Sequence, residues 1–184
     1  MLELALHVLD IVENSARAGA TLVKISVVED LEGDVLSIRI EDNGAGMDEE
    51  TRARALDPFY TTKKVRRIGL GLPMLKDAAE RAGGTFSLDS EPSKGTVVHA
   101  TFRHTHIDRQ PLGDMAGVIA AIMLGNPHMD IVYTHSRGGR SYELDTREIR
   151  EGLGGVALNE PEVVRLVREN VRESLLEIGA GNTP

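Results

Sequence analysis

The order in which helical and strand-like hydrophobic periods follow one another constrains this chain more than any other feature. Leu2, Leu6, Leu9 and Val12, with Ile11 alongside, recur at helical spacing. They predict a helix over residues 2–18, closed by Gly19. Two strand-like runs follow, at 22–28 and 35–41, around the Glu32-Gly33-Asp34 turn. Residues 47–56 read as a short helix and 70–82 as a longer one ended by Gly83-Gly84. Residues 85–89 and 96–103 read as strands flanking a turn at 92–95. That order predicts an α/β (α+β) two-layer sandwich, with a mixed, mainly antiparallel sheet and helices on one face.

Composition narrows the function classes. The 184 residues suit one domain, or one with a small appendage. There is no cysteine, which excludes disulfides and thiolate metal sites and suits a reducing cytoplasm. Aromatic residues make up only 3%, so the core must be aliphatic. The net charge of -8 opposes general nucleic-acid binding, which needs a basic face for phosphates. The N-terminus has no basic stretch of the kind that opens a signal peptide, and no apolar run is long enough to span a membrane. A cytoplasmic protein with no membrane or nucleic-acid partner is expected.

Four strings stand out within the first hundred residues. On the first helix, Asp10, Asn14 and Arg17 lie at i, i+4 and i+7 and share a face. Asp42-Asn43-Gly44-Ala45-Gly46-Met47 ends a strand and leads into a helix. Asp57-Pro58-Phe59-Tyr60-Thr61-Thr62-Lys63 runs into the basic Lys64, Arg66 and Arg67. Gly69-Leu70-Gly71-Leu72-Pro73 opens the next helix, with Pro73 suited to a first turn. A P-loop string is absent, and the glycine pair lacks the third glycine and trailing acid of a dinucleotide fold.

In this order, over residues 2–102, the strings resemble the ATP-binding superfamily shared by histidine kinases, type II topoisomerases, heat-shock chaperones of the ninety-kilodalton class and mismatch-repair ATPases. The third string is similar to the start of the histidine-kinase nucleotide lid. The resemblance implies ATP contacts from Asn14, Arg17, Asp42, Gly44, Gly46, Met47, Phe59, Thr62, Lys63, Gly69, Leu70, Gly71, Leu72 and Thr96. It implies Mg²⁺ held through Asn14, whose neutral carbonyl oxygen is a hard ligand. It places Asp10 where hydrolysing relatives carry a glutamate general base, although aspartate is one methylene shorter. Asp42 would accept a hydrogen bond from the adenine amino group. The hydroxyl of Thr96 would support that aspartate. Gly44 and Gly46 would let the backbone lie against the base.

The resemblance further implies a protein partner or phosphoacceptor and leaves room for a homodimer. It points to a kinase that phosphorylates a partner in trans within a signalling system. The alternatives are a slow ATPase, a nucleotide-dependent switch without kinase activity, and a serine kinase of the anti-sigma type. Self-phosphorylation in the usual arrangement is not expected, because His7 on the first helix would face the nucleotide site or the sheet.

Two features lie beyond these strings. His104, His106 and Asp108 alternate at the end of the last strand, which would set them on one face as metal ligands, or with one His as a phosphoryl acceptor, or as a polar strand end. His99 would lie on the opposite face, and His128 and His135 are remote in sequence. Residues 109–184 form a small α/β appendage to the ATP-binding domain of residues 1–108. A helix at 115–124, strands at 130–134 and 141–144 around Gly138-Gly139, and an amphipathic helix at 161–178 are expected. Its apolar face must pack on the ATP domain, a second copy or a partner. An assembly or docking role is the reading adopted for it.

Overall fold

The structure, a computed structural model, describes residues 3–57 and 71–180. In chain order the elements are α1 (Leu4–Arg17), β1 (Leu22–Asp30), β2 (Val35–Asp42), α2 (Glu49–Arg54), α3 (Gly71–Arg81), β3 (Phe86–Glu91), β4 (Gly95–Arg103), α4 (Met115–Gly125), β5 (Asp130–Arg137), β6 (Arg140–Asp145), α5 (Thr146–Gly152) and α6 (Pro161–Glu177). The six strands form one sheet in the order β3-β4-β2-β1-β5-β6. Every pairing is antiparallel except β1 with β5, which is parallel. The expected mixed, mainly antiparallel sandwich is therefore observed.

Strand alternation explains the two layers. Val23, Ile25 and Val27 of β1 are buried, as are Leu36, Ile38 and Ile40 of β2, Val98, Ala100 and Phe102 of β4, and Ile131 and Tyr133 of β5. Residues between them, such as Lys24 and Arg39, are exposed. The buried face meets the apolar stripes of α1, α3, α4 and α6 in a single core. α1 has no side-chain cap. Its first amides instead donate to the linker, Leu4 N to Pro111 O (3.0 Å) and Ala5 N to Leu112 O (2.8 Å).

Residues beyond 108 are built into this sheet. β5 lies along the whole of β1, with Leu22 opposite Asp130 and Glu29 opposite Arg137. Gly138 and Gly139, both with positive φ, make the two-residue turn to β6. The apolar face of α6 packs within the chain's own core through Val163, Val164, Val167, Val171 and Leu175. That face packs on α4 and β6, elements of the same C-terminal segment, and α4 in turn packs on α1. α5 carries no apolar period that would betray it in sequence. It is held by the Asp145 carboxylate, which accepts from Arg147 N at 2.9 Å.

Glu29, near the end of β1, ties the two halves together. Its carboxylate accepts from His135 Nε2 on β5 (2.9 Å), His104 Nε2 after β4 (2.9 Å) and Arg137 Nη1 on β5 (2.7 Å). A carboxylate only accepts, so both imidazoles donate through Nε2. Nδ1 of His135 is then an acceptor for the Tyr133 hydroxyl at 2.8 Å, a phenol that burial keeps protonated. This geometry corrects the reading of His104, His106 and Asp108 as one strand face. β4 ends at Arg103, because Asp34 takes the amide and hydroxyl of Thr105 and turns the chain. His104 then turns inward to Glu29, while the Asp108 amide donates to His106 Nδ1. Among the described residues no cluster of His, Asp or Glu suits a metal ion.

Burial pushes the Glu29 pKa up, but the bonds from His135, His104 and Arg137 outweigh it and hold the pKa below the ordinary 4.5. A depressed pKa contributes stability above the unfolded value, lost as pH falls through the folded one. Glu29→Gln should therefore lower stability near pH 7 by about 2–4 kcal/mol. Urea unfolding should show the gap narrowing below pH 4.5, and a variant as stable as the parent at pH 7 would refute this account.

Candidate functional site

At the opposite end of the sheet, about 20 Å along β1 from Glu29, sits Asp42. It is the last residue of β2 and is only 8% exposed. Its Oδ2 accepts from Ser15 Oγ on α1 at 2.6 Å. Its Oδ1 accepts from Gly44 N at 2.9 Å and from Thr96 N on β4 at 3.2 Å. Among the described residues no cation pairs with it. An ionised carboxylate offers about four lone-pair directions, so three donors leave one for a further neutral donor.

The hydroxyl serving Asp42 thus belongs to Ser15, and the one expected of Thr96 goes elsewhere. Thr96 lies opposite both Asp42 and Ser90. Its amide takes Asp42, and its hydroxyl lies 2.9 Å from Ser90 Oγ. Ser90 in turn accepts from Met47 N at 2.9 Å, which fixes the end of the glycine loop. Ser15 is 3% exposed on the inner face of α1. Its signal in sequence was its place one residue after Asn14, on the apolar rather than the polar stripe.

The loop after Asp42 needs its glycines for different reasons. Gly46 has φ +66 and lies against the Glu91 carbonyl, which a Cβ would strike. Gly44 has no positive φ, but a Cβ there would come within 3.1 Å of the Ala18 backbone oxygen. The Asn43 side chain pins the loop base by accepting from Thr21 N and Leu22 N. Asp48 then caps α2 by accepting from Thr51 N at 2.7 Å.

Asp10, Asn14 and Arg17 share the outer stripe of α1, as their spacing predicts. Arg17 donates to Asn14 Oδ1 and lies 3.6 Å from Glu13. The N-terminus of α3 comes down on this stripe, and a Cβ at Gly71 would land on the Asp10 carboxylate. A helix start, an asparagine oxygen and a carboxylate therefore converge next to the Asp42 loop. Leu72 is half-buried on α3, with Pro73 in its first turn. Phe59, Thr62, Lys63, Gly69 and Leu70 lie outside the described residues.

An α/β sandwich with a buried carboxylate over a glycine loop, and a helix N-terminus beside an asparagine, defines an ATP-binding class. The chain belongs to the histidine kinase-, DNA gyrase B-, and HSP90-like ATPase family, which it matches over residues 2–106. It is 32% identical over 114 residues to the cell-division control histidine kinase PdhS of Brucella ovis, covering 54% of this chain and 11% of that protein. It is 40% identical over 74 residues to sporulation kinase E of Bacillus subtilis, covering 40% of this chain and 10% of that one. The chain thus spans about a tenth of the length of these curated relatives. Among solved structures it resembles the N-terminal domain of a DNA repair protein, with TM-score 0.57 and 19% identity over 79% of this chain and 53% of that one. That likeness in fold covers more of the chain than the family match does.

Ser15→Ala would leave Asp42 one donor short without opening space for water. It should cost about 1–2 kcal/mol of stability, read from denaturant midpoints. Unchanged midpoints would mean that the Ser15–Asp42 bond contributes nothing.

Proposed function

We propose that the protein binds MgATP in this site and transfers the terminal phosphoryl group to a protein partner in trans. Asp42 carries the reading. A buried carboxylate without a cation, held by three donors and keeping one acceptor direction, suits the adenine amino group; the guanine carbonyl at the same position has no hydrogen to donate. Asn14 would hold Mg²⁺, with Arg17 moving from its oxygen to phosphate, and the α3 amides at Gly71 and Leu72 would meet the phosphates. Mg²⁺ would neutralise charge on the phosphates when bound. Asp10, against Gly71, would act as general base toward the acceptor hydroxyl, imidazole or water. Histidine kinases among the relatives support transfer over simple hydrolysis. An assembly or docking role for residues 109–184 belongs to the same proposal. Most of their apolar side chains are spent internally, so a partner would meet charged outer positions such as Arg165 and Glu169 together with the exposed Leu166 and Leu176.

Calorimetric titration with MgATP tests the binding reading. Asp42→Asn should weaken binding by about 1–3 kcal/mol, since its NH₂ would face a donor. Equal affinity in parent and variant would remove Asp42 from the adenine site. Asp10→Asn should keep the affinity but slow turnover of labelled ATP by about 10²-fold or more. Undiminished turnover would exclude Asp10 as the base.

A further inference from the structure

Asn43 leaves the sheet one residue after the last β1–β2 pair, Val23 with Asp42. Its backbone gives one bond back, Asn43 N to Leu22 O at 3.3 Å. From there the side chain, not the backbone, continues the ladder. Asn43 Oδ1 accepts from Thr21 N at 2.9 Å and from Leu22 N at 3.0 Å. Two amide donors on one oxygen settle which way the side-chain amide points. Its nitrogen therefore faces Thr21, and Nδ2 donates to Thr21 Oγ1 at 2.9 Å. The side chain stands in for a peptide unit, with one acceptor and one donor engaged, and residues 44–46 are released from the sheet into the glycine loop.

Thr21 has a partner at each of its polar atoms. Its amide and hydroxyl hold Asn43, and its carbonyl accepts from Asp130 N, the first amide of β5, at 2.8 Å. Asp130 is held in turn, its carboxylate accepting from Arg150 Nη2 at 2.9 Å and from Thr146 Oγ1 at 3.3 Å. The turn before Thr21 meets the same loop once more, with Ala45 N donating to Ala18 O at 2.9 Å. Ala20 N closes that turn on α1 by donating to Ser15 O at 3.0 Å, one residue after Asn14.

We propose that Thr21 is a positioning residue for the nucleotide loop: it fixes Asn43, and through Asn43 the Gly44 amide, against a strand supplied by the C-terminal segment. Gly44 N is one of the three donors to Asp42, and it bonds the same oxygen as Thr96 N. Where Gly44 stands decides how the carboxylate is turned, and hence where its unused acceptor direction points. A loop free to swing at Asn43 carries Gly44 with it and turns that direction away from the adenine amino group. This role rests on the proposed function, since adenine is what the loop is positioned for. Thr21 itself is exposed, so its hydroxyl adds little to the core; what the bond holds is the aim of the loop.

Two variants and two measurements test this on the full-length protein. Thr21→Val keeps the β-branched shape and removes the hydroxyl; Thr21→Ser keeps the hydroxyl and is the rescue variant. Without nucleotide, hydrogen exchange at Gly44 and Ala45 should quicken about fivefold in Thr21→Val and return to within about twofold of the parent in Thr21→Ser. Exchange at Ile25 and Ile38, in the middle of β1 and β2, should not change; equal quickening there would mean that Thr21 only stabilises the sheet, and overturns the proposal. Calorimetry should show MgATP binding about fivefold weaker in Thr21→Val and within about twofold of the parent in Thr21→Ser. The kcat at saturating ATP should stay within about twofold of the parent, because Asp10 and Asn14 keep their places on α1. Unchanged exchange at Gly44 overturns the proposal, as does unchanged affinity in the valine variant of a parent that binds ATP, or a fall in kcat with affinity intact. A parent that binds no MgATP sinks the proposed function instead, and the exchange measurement still decides whether Thr21 fixes the loop.

Discussion

Asp42 imposes the tightest condition on the molecule. A carboxylate taken out of water without a cation must find its donors in the polypeptide. Here they come from three directions: the Ser15 hydroxyl on α1, the Gly44 amide in the loop, and the Thr96 amide on β4. Meeting that condition fixes how close α1 comes to the sheet, how sharply the chain turns after β2, and where β4 begins. The positive φ of Gly46 and the close packing of Gly44 on Ala18 follow from the same demand, because any side chain there would push the loop off its donors. The geometry around Asp42 is thus a by-product of solving one solvation problem.

A second buried carboxylate does the opposite work. Glu29 has a cation in Arg137 and two imidazoles besides, and its partners come from both halves of the chain. Asp42 keeps an acceptor direction that its three donors leave unused; Glu29 is closed by its own protein. Both sit on inward positions of adjacent strands, at opposite ends of the sheet. One end is arranged for exchange with small molecules and the other for permanence.

Much of this was legible in the residues. Period-2 and period-3.6 patterns placed nearly every element, and the stripe of Asp10, Asn14 and Arg17 follows from helix geometry alone. What escaped was whatever depends on contacts distant in sequence. Glu29 looks like any acid near a strand end until β5 is laid beside β1, 100 residues later, and only then does His135 come within 2.9 Å of it. The alternation of His104, His106 and Asp108 misled for a local reason: Asp34, across the sheet end, captured Thr105 and ended the strand early. Ser15 carried a polar group on an apolar stripe, a legible signal whose partner was not. α5 is short and capped rather than amphipathic, and leaves no period to read.

The parallel pairing of β1 with β5 bears on how the chain comes off the ribosome. β1 is complete by Asp30, and its antiparallel partner β2 follows at once, but its other edge waits for residues 130–137. Through that interval a strand with Val23, Ile25 and Val27 offers unpaired backbone along one side, the template on which chains join one another. Closing it brings together strands about 100 residues apart, a non-local contact that must first meet the entropy of closing that loop. Synthesis that stalls or is cut between β4 and β5 would release a nearly complete nucleotide site with a sticky edge. In the folded chain it is β5, residues 130–137, that seals this edge.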